Sequence, residues 1–240
     1  MTKPLIVITG ASSGIGASIA TTFAKAGHAL LLLARDVKAM EELKLENTIC
    51  KSVDVTDADA LNAAIKQAEE TYGKTECIVN CAGLMLLGDI ENQEKSEWQK
   101  MYDVNVVGLL NGMQAVLSDM KARNSGTIIN ISSIAGRKTF PAHAAYCGTK
   151  FAVHAISENV REEVADSNVR VITIAPGAVE TPLLSHTSSQ EIKDNYQAWK
   201  ESMGGVLAPQ DIADAVAYAF NQPQNVCVRE IVVAATRQQP

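Results

Sequence analysis

Tyr146 and Lys150 stand four positions apart in a segment, residues 144–164, whose pattern predicts a helix. In a helix, that spacing places both side chains on the same face. A phenol with an ordinary pKa of about 10 is a poor acid or base at neutral pH, but an adjacent ammonium favours the phenolate and lowers that pKa. The pair could therefore donate and accept a proton. Surface helices often produce this spacing by chance, so the interpretation needs support elsewhere in the chain.

A glycine-rich turn near the start of the chain gives that support. The apolar run of residues 5–9 leads into Thr9-Gly10-Ala11-Ser12-Ser13-Gly14-Ile15-Gly16, after which a helical pattern begins. Glycines permit a tight turn and let backbone N–H groups approach a pyrophosphate, and the helix N-terminus adds positive potential. Strand, turn and helix in this order predict a dinucleotide site whose contacts are Gly10, Ser12, Ser13, Gly14, Ile15 and Gly16.

Short apolar runs alternate with longer amphipathic segments along the chain. The runs lack a clean polar–apolar alternation, which is typical of strands covered on both faces. Strands are predicted at residues 5–9, 29–34, 49–55, 77–80, 127–132, 169–175 and 230–233. Helices are predicted at residues 15–26, 58–72, 98–122, 144–164 and 209–220. This alternation predicts an α/β fold: a single Rossmann-type domain, residues 1–240, with a doubly wound, parallel, seven-stranded sheet.

Composition limits the classes of function. Hydrophobic residues make up 47% of the 240 residues, which is typical of a globular protein, and the net charge of −6 without a Lys or Arg run disfavours nucleic-acid binding. No apolar stretch approaches the ~20 residues that span a bilayer, and the run at residues 5–8 is too short for a signal peptide. The five cysteines have neither C-x-x-C pairs nor nearby His ligands. We therefore expect reduced thiols, no metal and a cytoplasmic protein.

Taken together, these features resemble the short single-domain branch of the short-chain dehydrogenase/reductase family, whose Thr-Gly-x-x-x-Gly-x-Gly turn is matched at residues 9–16. The resemblance recurs in register along nearly the whole chain. It implies further cofactor contacts after the third, fourth and sixth strands, at Asp54, Val55, Asn80, Ala82, Gly83, Pro176, Gly177, Val179 and Thr181. Cys81 stands where the family carries a second Asn.

The same resemblance implies a catalytic group of Asn105, Ser133, Tyr146 and Lys150. Tyr146 would exchange a proton with the substrate oxygen, and Ser133 would bind and polarise that oxygen. Lys150 would lower the pKa of Tyr146 and hold the nicotinamide ribose. Asn105 would shape a helix and anchor a water in the proton path. Ser132 is the competing serine, and Ser133 is preferred for its position before a small-residue turn and its offset from Tyr146.

The end of the second strand bears on the choice between NAD(H) and NADP(H). An acidic residue there commonly binds the ribose 2′-hydroxyl of NAD(H), and Ala34 occupies that position. Arg35 follows, and a guanidinium can hydrogen-bond the 2′-phosphate of NADP(H). We therefore predict NADP(H), with Arg35 as a contact. Asp36 is the alternative ribose ligand if the strand ends one residue later, and Ser13 stands where other NADP-preferring members carry a second basic residue.

The predicted activity is hydride transfer between NADP(H) and a small carbonyl or alcohol, such as a 3-hydroxy acid, an aldehyde or a ketone. The finer resemblance is to bacterial 3-hydroxy acid dehydrogenases and clavaldehyde reductases. One alternative is a catalytically silent NADP-binding sensor or scaffold on the same fold. Another is a reductase of 3-oxoacyl chains on a carrier protein, which the acidic segment of residues 190–194 supports little.

Three further expectations concern the surroundings of the site. The polar segment of residues 183–205 ends at two glycines and predicts a mobile helical lid, with an ordinary surface connection as the alternative. Arg137 or His143, between Ser133 and Tyr146, could hold an anionic or polar substrate group. The apolar-faced helices of residues 98–122 and 144–164, together with the family resemblance, predict a homo-oligomer, most simply a tetramer.

Overall fold

The structure is a computed structural model that describes residues 3–239; residues 1, 2 and 240 of the predicted domain lie outside the described residues. Its centre is one seven-stranded sheet in the order β3-β2-β1-β4-β5-β6-β7, and every neighbouring pair is parallel. The strands are β1 (Lys3–Thr9), β2 (His28–Ala34), β3 (Thr48–Ser52), β4 (Thr75–Asn80), β5 (Gly126–Ile131), β6 (Val169–Pro176) and β7 (Glu230–Val233). The predicted doubly wound, parallel, seven-stranded α/β fold is confirmed.

Helices connect the strands and cover both faces of the sheet. Those of the described residues are α1 (Gly14–Lys25), α2 (Val37–Glu41), α3 (Ala58–Tyr72), α4 (Lys95–Tyr102), α5 (Gly108–Ala122), α6 (Ala144–Glu163), α7 (Gln190–Ser202) and α8 (Pro209–Phe220). Short 3-10 segments lie at Ile134–Gly136 and Pro182–His186. Within residues 3–239, no helix is long and apolar enough to cross a membrane.

Two apolar layers hold the helices to the sheet. One layer joins Leu31 to side chains of α5 and α6 such as Met113 and Val153, and the other joins Leu32 to side chains of α1 and α8. Successive strand residues point to opposite faces, so neighbours in β2 serve different layers. Every residue of β2 is buried, which explains why this strand shows no polar–apolar alternation. Full burial of one large aliphatic or aromatic side chain contributes roughly 1.5–3 kcal/mol.

Most predicted element boundaries agree with the structure within two residues, but two are wrong. The third strand ends at Ser52, because the Asp54 carboxylate accepts hydrogen bonds from the N–H and hydroxyl of Thr56 and turns the chain. The helix predicted at residues 98–122 begins at Lys95, and the π-helical segment Asp103–Val107 separates α4 from α5. The sequence analysis also missed α2.

The strand order places the predicted motifs at one edge of the sheet. The carboxyl ends of parallel strands meet there, and a crevice forms where the strand order reverses, which here is between β1 and β4. Thr9 joins these two strands at that point: its hydroxyl accepts the N–H groups of Cys81 at 3.0 Å and of Ala82 at 3.1 Å. The glycine-rich turn and residues 81–83 therefore lie side by side.

Candidate active site

A cavity of about 1080 Å³ opens at the carboxyl edge of the sheet. Its wall contains every predicted cofactor and catalytic residue except Asn80 and Asn105, and it extends to the 3-10 segment Pro182–His186 and to α7. Residues that lie far apart in the sequence are thus brought to a single space. No group of three His, Cys, Asp or Glu side chains among residues 3–239 is arranged to hold a metal ion.

The turn after β1 forms one end of the cavity and is too tight for side chains. Gly10 has a φ of +67°, and a Cβ there would lie 2.7 Å from Ala82 Cα. A Cβ on Gly16 would overlap the Gly10 carbonyl oxygen. Ser13 begins α1 without a side-chain cap, and the first N–H groups of a helix have no intrahelical acceptor. The cradle therefore has the shape and free donors that fit a pyrophosphate. The contacts of Ser12, Ser13, Gly14 and Ile15 with it stay a prediction.

The end of β2 gives Arg35 and Asp36 different environments. The Asp36 carboxylate accepts the Ala39 N–H at 3.1 Å and caps α2. The Arg35 side chain is exposed on the cavity wall, and the described part of the chain gives it no ion pair. One oxygen of Asp36 is therefore used as a helix cap, whereas the Arg35 guanidinium has no ion pair within residues 3–239; both residues line the cavity, and the contact of Arg35 with a 2′-phosphate stays a prediction.

Asp54 and Val55 line the cavity beside α5. Hydrogen bonds from the backbone and side chain of Thr56 lower the pKa of Asp54, so this carboxylate is charged and already bonded within its own turn. The Val55 carbonyl accepts the Asn111 side-chain amide at 2.9 Å, and Gly108 leaves space for the Val55 side chain. Both Thr56 hydrogen bonds go to Asp54 Oδ1, so this turn offers a cofactor its second carboxylate oxygen as well as backbone and apolar surface.

Ser132 and Ser133 follow β5 and take different partners. Ser132 is buried; its hydroxyl donates to the Lys150 carbonyl at 3.2 Å and lies 2.9 Å from His154 Nδ1. The Ser133 side chain is hydrogen-bonded to Tyr146, and its oxygen also accepts the Ala135 N–H at 3.0 Å. The geometry therefore favours Ser133 over Ser132 as the partner of a substrate oxygen.

Burial dominates the proton affinity of Tyr146. It raises the pKa of the phenol above its ordinary value, Tyr196 adds to the rise, and the hydrogen bond with Ser133 opposes it. Burial thus outweighs the lowering expected from Lys150, whose role toward Tyr146 stays a prediction. The Lys150 Nζ lies 5.8 Å from the centroid of the Tyr146 ring and donates to the Ile131 carbonyl at 3.1 Å. Burial also lowers the pKa of Lys150 to about 8, so this lysine is still mostly protonated at pH 7.

Cys81 lies close to the same lysine. Burial raises the pKa of its thiol to about 12, and the Lys150 charge acts in the opposite direction. The thiol is therefore neutral near neutral pH. The chain replaces the family's polar amide here with a small weak donor, while the backbone of Cys81 is held by Thr9 as described above.

Asn105 lies behind the cavity wall, in the π-helical segment between α4 and α5. Its Oδ1 accepts the Leu84 N–H at 2.7 Å, and its Nδ2 donates to the Leu84 carbonyl at 2.8 Å and to the Thr149 hydroxyl at 3.0 Å. The side chain thus fixes the loop after β4 against α6. Single-turn π-bulges of this kind are frequent at functional sites. The expected helix distortion is present at the predicted residue.

Besides Asn105, two further candidate side chains do not reach the cavity. Asn80 is buried between strands and helices: its Nδ2 donates to Asn130 Oδ1 at 2.9 Å, and Asn130 donates in turn to the Ser157 hydroxyl at 2.9 Å. Asn80 is therefore corrected from a cofactor contact to a link between β4 and β5. Arg137 lies outside the cavity wall and pairs with Glu230 at 2.7 Å, so the substrate role considered for it is wrong here.

The segment after β6 closes the cavity opposite β4, and here the sequence analysis missed Gln238. Gln238 is 8% exposed and lines the cavity. Its Oε1 accepts the Ala178 N–H at 3.0 Å, and its Nε2 is buried without a partner in the described structure. Gly177 leaves space for this amide. No local pattern marks Gln238, because only the path of the chain after β7 places it beside the predicted contacts Pro176 and Gly177.

Comparisons with known proteins find relatives along most of the chain. The family model described as short chain dehydrogenase matches residues 4–192. An uncharacterized oxidoreductase of Staphylococcus saprophyticus is 38% identical over 98% of this chain and 96% of its own. Glycine betaine reductase of Emericella nidulans is 37% identical over 95% of this chain but only 18% of that protein. A closed form of serine dehydrogenase complexed with NADP+ is 28% identical, with a TM-score of 0.90 over 98% of this chain and 96% of that one.

Proposed function

The chain belongs to the short-chain dehydrogenase/reductase family, and on that premise we propose that it is an NADP(H)-dependent oxidoreductase of small carbonyl or alcohol substrates. The observation that carries the proposal is the hydrogen-bonded pair of Ser133 and Tyr146 on the wall of a dinucleotide-sized cavity, with Lys150 on the same helix face. A silent sensor on the same fold would have no need for this arrangement.

In the proposed mechanism, Tyr146 exchanges a proton with the substrate oxygen. The raised pKa of its phenol suits the direction of reduction, because the hydroxyl holds its proton until negative charge develops on that oxygen. Ser133 shares the oxygen with Tyr146 and stabilises the developing charge. Lys150, with a pKa of about 8, can take up and release a proton near neutral pH and so help return to Tyr146 a proton that comes from solvent. When bound, the nicotinamide supplies or accepts the hydride.

NADP(H) is the proposed cofactor. The glycine-rich turn fits its pyrophosphate, and Arg35 stands where the 2′-phosphate would be recognised. The NADP+ complex of the similar serine dehydrogenase supports the same choice. Val179 and Thr181, with the unpartnered Gln238 amide, would hold the nicotinamide end.

Residues 183–205 are the proposed lid. The segment leaves and rejoins the body at one place, where the Glu180 backbone N–H donates to the Leu207 carbonyl at 2.9 Å and the Leu207 N–H donates to the Ala178 carbonyl at 3.0 Å. Gly204 and Gly205 have positive φ values of 71° and 125°, which favours glycine and suits a hinge. Among the described residues, the chain between these two contacts forms the Pro182–His186 turn and α7, which line the substrate end of the cavity.

A homotetramer in the cytoplasm completes the proposal. Three apolar side chains are exposed where a second copy of the chain could cover them. They are Val107 in the segment before α5 (43% exposed), Leu110 on α5 (42%) and Phe151 on α6 (44%). The five cysteines are free thiols, as expected in a reducing compartment.

The test of the proposed function is consumption of NADPH with a panel of small aldehydes and ketones, repeated with a 3-oxoacyl group on a carrier protein. We expect turnover of at least one small carbonyl. A protein that binds NADPH but turns over none of the panel would be a sensor or scaffold. Turnover of the carrier-linked substrate alone would identify the second alternative.

A further inference from the structure

Four aromatic rings line the substrate end of the cavity, at Phe140, His143, Tyr196 and Trp199, and together they are called the aromatic wall. Tyr196 and Trp199 have centroids 5.3 Å apart, Phe140 and Trp199 6.4 Å, and His143 stacks on Tyr196 at 6.3 Å with an interplanar angle of 28°. The wall joins the loop before α6 to α7. Such a surface offers ring faces with negative electrostatic potential to a ligand.

The aromatic wall stands next to the reacting group. The centroid of His143 is 6.3 Å from that of Tyr146. His143 Nδ1 lies 2.6 Å from the Pro141 carbonyl, so this nitrogen carries the proton and Nε2 is the acceptor of the neutral ring. Burial lowers the pKa of His143, which keeps the ring neutral at neutral pH. The wall therefore adds no positive charge of its own.

The charged side chains around the substrate end are mostly acidic. Asp89, Glu94, Glu97 and Glu191 line the cavity, and the ion pairs of the described residues include none of them. Gly88 donates to the Ala142 carbonyl at 3.0 Å, which brings the first of these acids beside the loop that carries His143.

The two lysines that line this end of the cavity, Lys150 and Lys200, both donate hydrogen bonds within the protein. Lys150 donates to the Ile131 carbonyl, and Lys200 donates to Glu180 at 2.6 Å. Among the described residues that line this end, a substrate carboxylate would therefore face acids without ion pairs and lysines that are already hydrogen-bonded. An organic cation would meet complementary charge.

Phe140 offers no free ring face to a cationic ligand, because a lysine from outside the cavity lining already occupies it. Lys138 Nζ lies 4.9 Å from the centroid of Phe140, within the ~6 Å range of cation–π attraction. Tyr196, Trp199 and His143 then provide the remaining ring surface. Compared with a small hydrated ammonium, an alkylated one has apolar methyl groups that suit ring faces and lose less hydration on binding.

We propose that the aromatic wall and the surrounding acids bind an alkylammonium group, so that the substrate is a small aldehyde or alcohol carrying a quaternary nitrogen. This inference rests on the proposed function, because it names the substrate class of the same site. It differs from the 3-hydroxy acid expected from the sequence, because both lysines that line the substrate end are already hydrogen-bonded.

The first test compares choline with 3,3-dimethylbutan-1-ol, in which carbon replaces the charged nitrogen, as substrates with NADP+. The ratio of their kcat/KM values is measured in the native enzyme, in Trp199→Leu and in Tyr218→Leu, whose ring is 60% exposed outside the cavity. Because the same two alcohols are compared in all three enzymes, their difference in intrinsic reactivity does not affect how the ratio changes between enzymes. We expect the ratio to fall by roughly 3- to 30-fold in Trp199→Leu, the range of a cation–π contact, and to stay unchanged in Tyr218→Leu. An unchanged ratio in Trp199→Leu overturns the proposal.

A second test needs no turnover. Tetramethylammonium chloride is titrated into the NADP+ complex while tryptophan fluorescence is followed, with sodium chloride as the salt control. We expect saturable quenching that Asp89→Lys weakens several-fold and Glu70→Lys, an exposed change on α3, leaves intact. Absence of saturable binding overturns the cation site even if small neutral carbonyls are reduced. Binding without turnover of any substrate would instead overturn the proposed function and leave the cation site standing.

Discussion

The Ser133 side chain, after β5, is hydrogen-bonded to Tyr146 on α6, and burial holds the phenol in its protonated form. Ser133 and Tyr146 belong to different elements, yet they meet at one point of the cavity wall. A substrate oxygen placed between them would receive two hydrogen bonds. The first prediction removes one of these.

Tyr146→Phe should lower kcat for carbonyl reduction by about 10²–10⁴-fold, because only the proton-transfer hydroxyl is lost. Binding of NADP+, measured by fluorescence, should change little. Tyr218→Phe on the exposed face of α8 is the matched control and should keep full activity. Near-normal turnover in Tyr146→Phe would remove Tyr146 from the mechanism.

Lys150 should make stability depend on pH. Its pKa is about 8 in the folded protein and 10.5 ordinarily, so the folded form releases the proton first. The cost of burying the ammonium is present below about pH 8 and is relieved as pH rises toward 10.5. At 1.36 kcal/mol per pKa unit, the gain between pH 7 and about pH 9.5 is about 2 kcal/mol.

The measurement for Lys150 is urea unfolding of the native protein and Lys150→Met at both pH values. Buried thiols and phenols, whose pKa values are raised, destabilise the fold at high pH in both proteins, so the difference between them isolates Lys150. As pH rises, the free energy of unfolding of the native protein should increase relative to that of Lys150→Met. The exposed change Lys66→Met should show no such trend. A pH-independent difference for Lys150→Met would contradict the low pKa.

Arg35→Ala should change cofactor preference. A hydrogen bond to a charged group contributes roughly 1.5–3 kcal/mol, so kcat/KM with NADPH should fall by about ten- to a hundred-fold while that with NADH changes little. Lys38→Ala, on α2 nearby, is the control for general loss of positive charge. Equal losses with both cofactors would show that Arg35 does not recognise the 2′-phosphate.

Gln238 allows two effects to be separated. Gln238→Glu keeps an acceptor for the Ala178 N–H but loses the unpartnered amide donor, whereas Gln238→Met loses both. If the donor binds the cofactor, both variants should weaken NADP+ binding about tenfold or more in a fluorescence titration. Retained affinity in Gln238→Glu would limit this side chain to holding the turn after β6.

Phe151→Asp should reduce the mass of the assembly measured by light scattering. The side chain is 44% exposed on α6, and a buried carboxylate at a subunit contact is strongly unfavourable. Lys66→Asp on α3 should leave the mass unchanged. A native protein that is monomeric at micromolar concentration would refute the tetramer.

The sequence predicted the sheet and most of the site because its signals are local. Buried strands produce continuous apolar runs, and the tight turn after β1 requires glycines at Gly10 and Gly16. The end of β3 was placed too late because Val53 and Val55 are apolar although the chain already turns at Asp54. The π-helical segment was missed because it does not interrupt the apolar pattern of a helix.

Other features depend on contacts between distant residues. Asn80 and Asn130 carry the same side chain, and only their pairing across β4 and β5 shows that Asn80 faces away from the cavity. The pKa of Tyr146 depends on burial, and the spacing to Lys150 does not reveal how that lysine is engaged. The aromatic wall likewise joins two segments that show no common motif.

The position of Gln238 also bears on how the protein should be handled. The Gln238 amide is part of the cavity wall, at the carboxyl ends of the strands. The central strand β1 begins at their amino ends, away from the site. A tag or truncation that displaces Gln238 would release the turn after β6, so cofactor titrations should use protein in which the neighbourhood of residue 238 is unaltered. A tag placed before β1 would be remote from the cavity, and is the arrangement to use for purification and crystallisation.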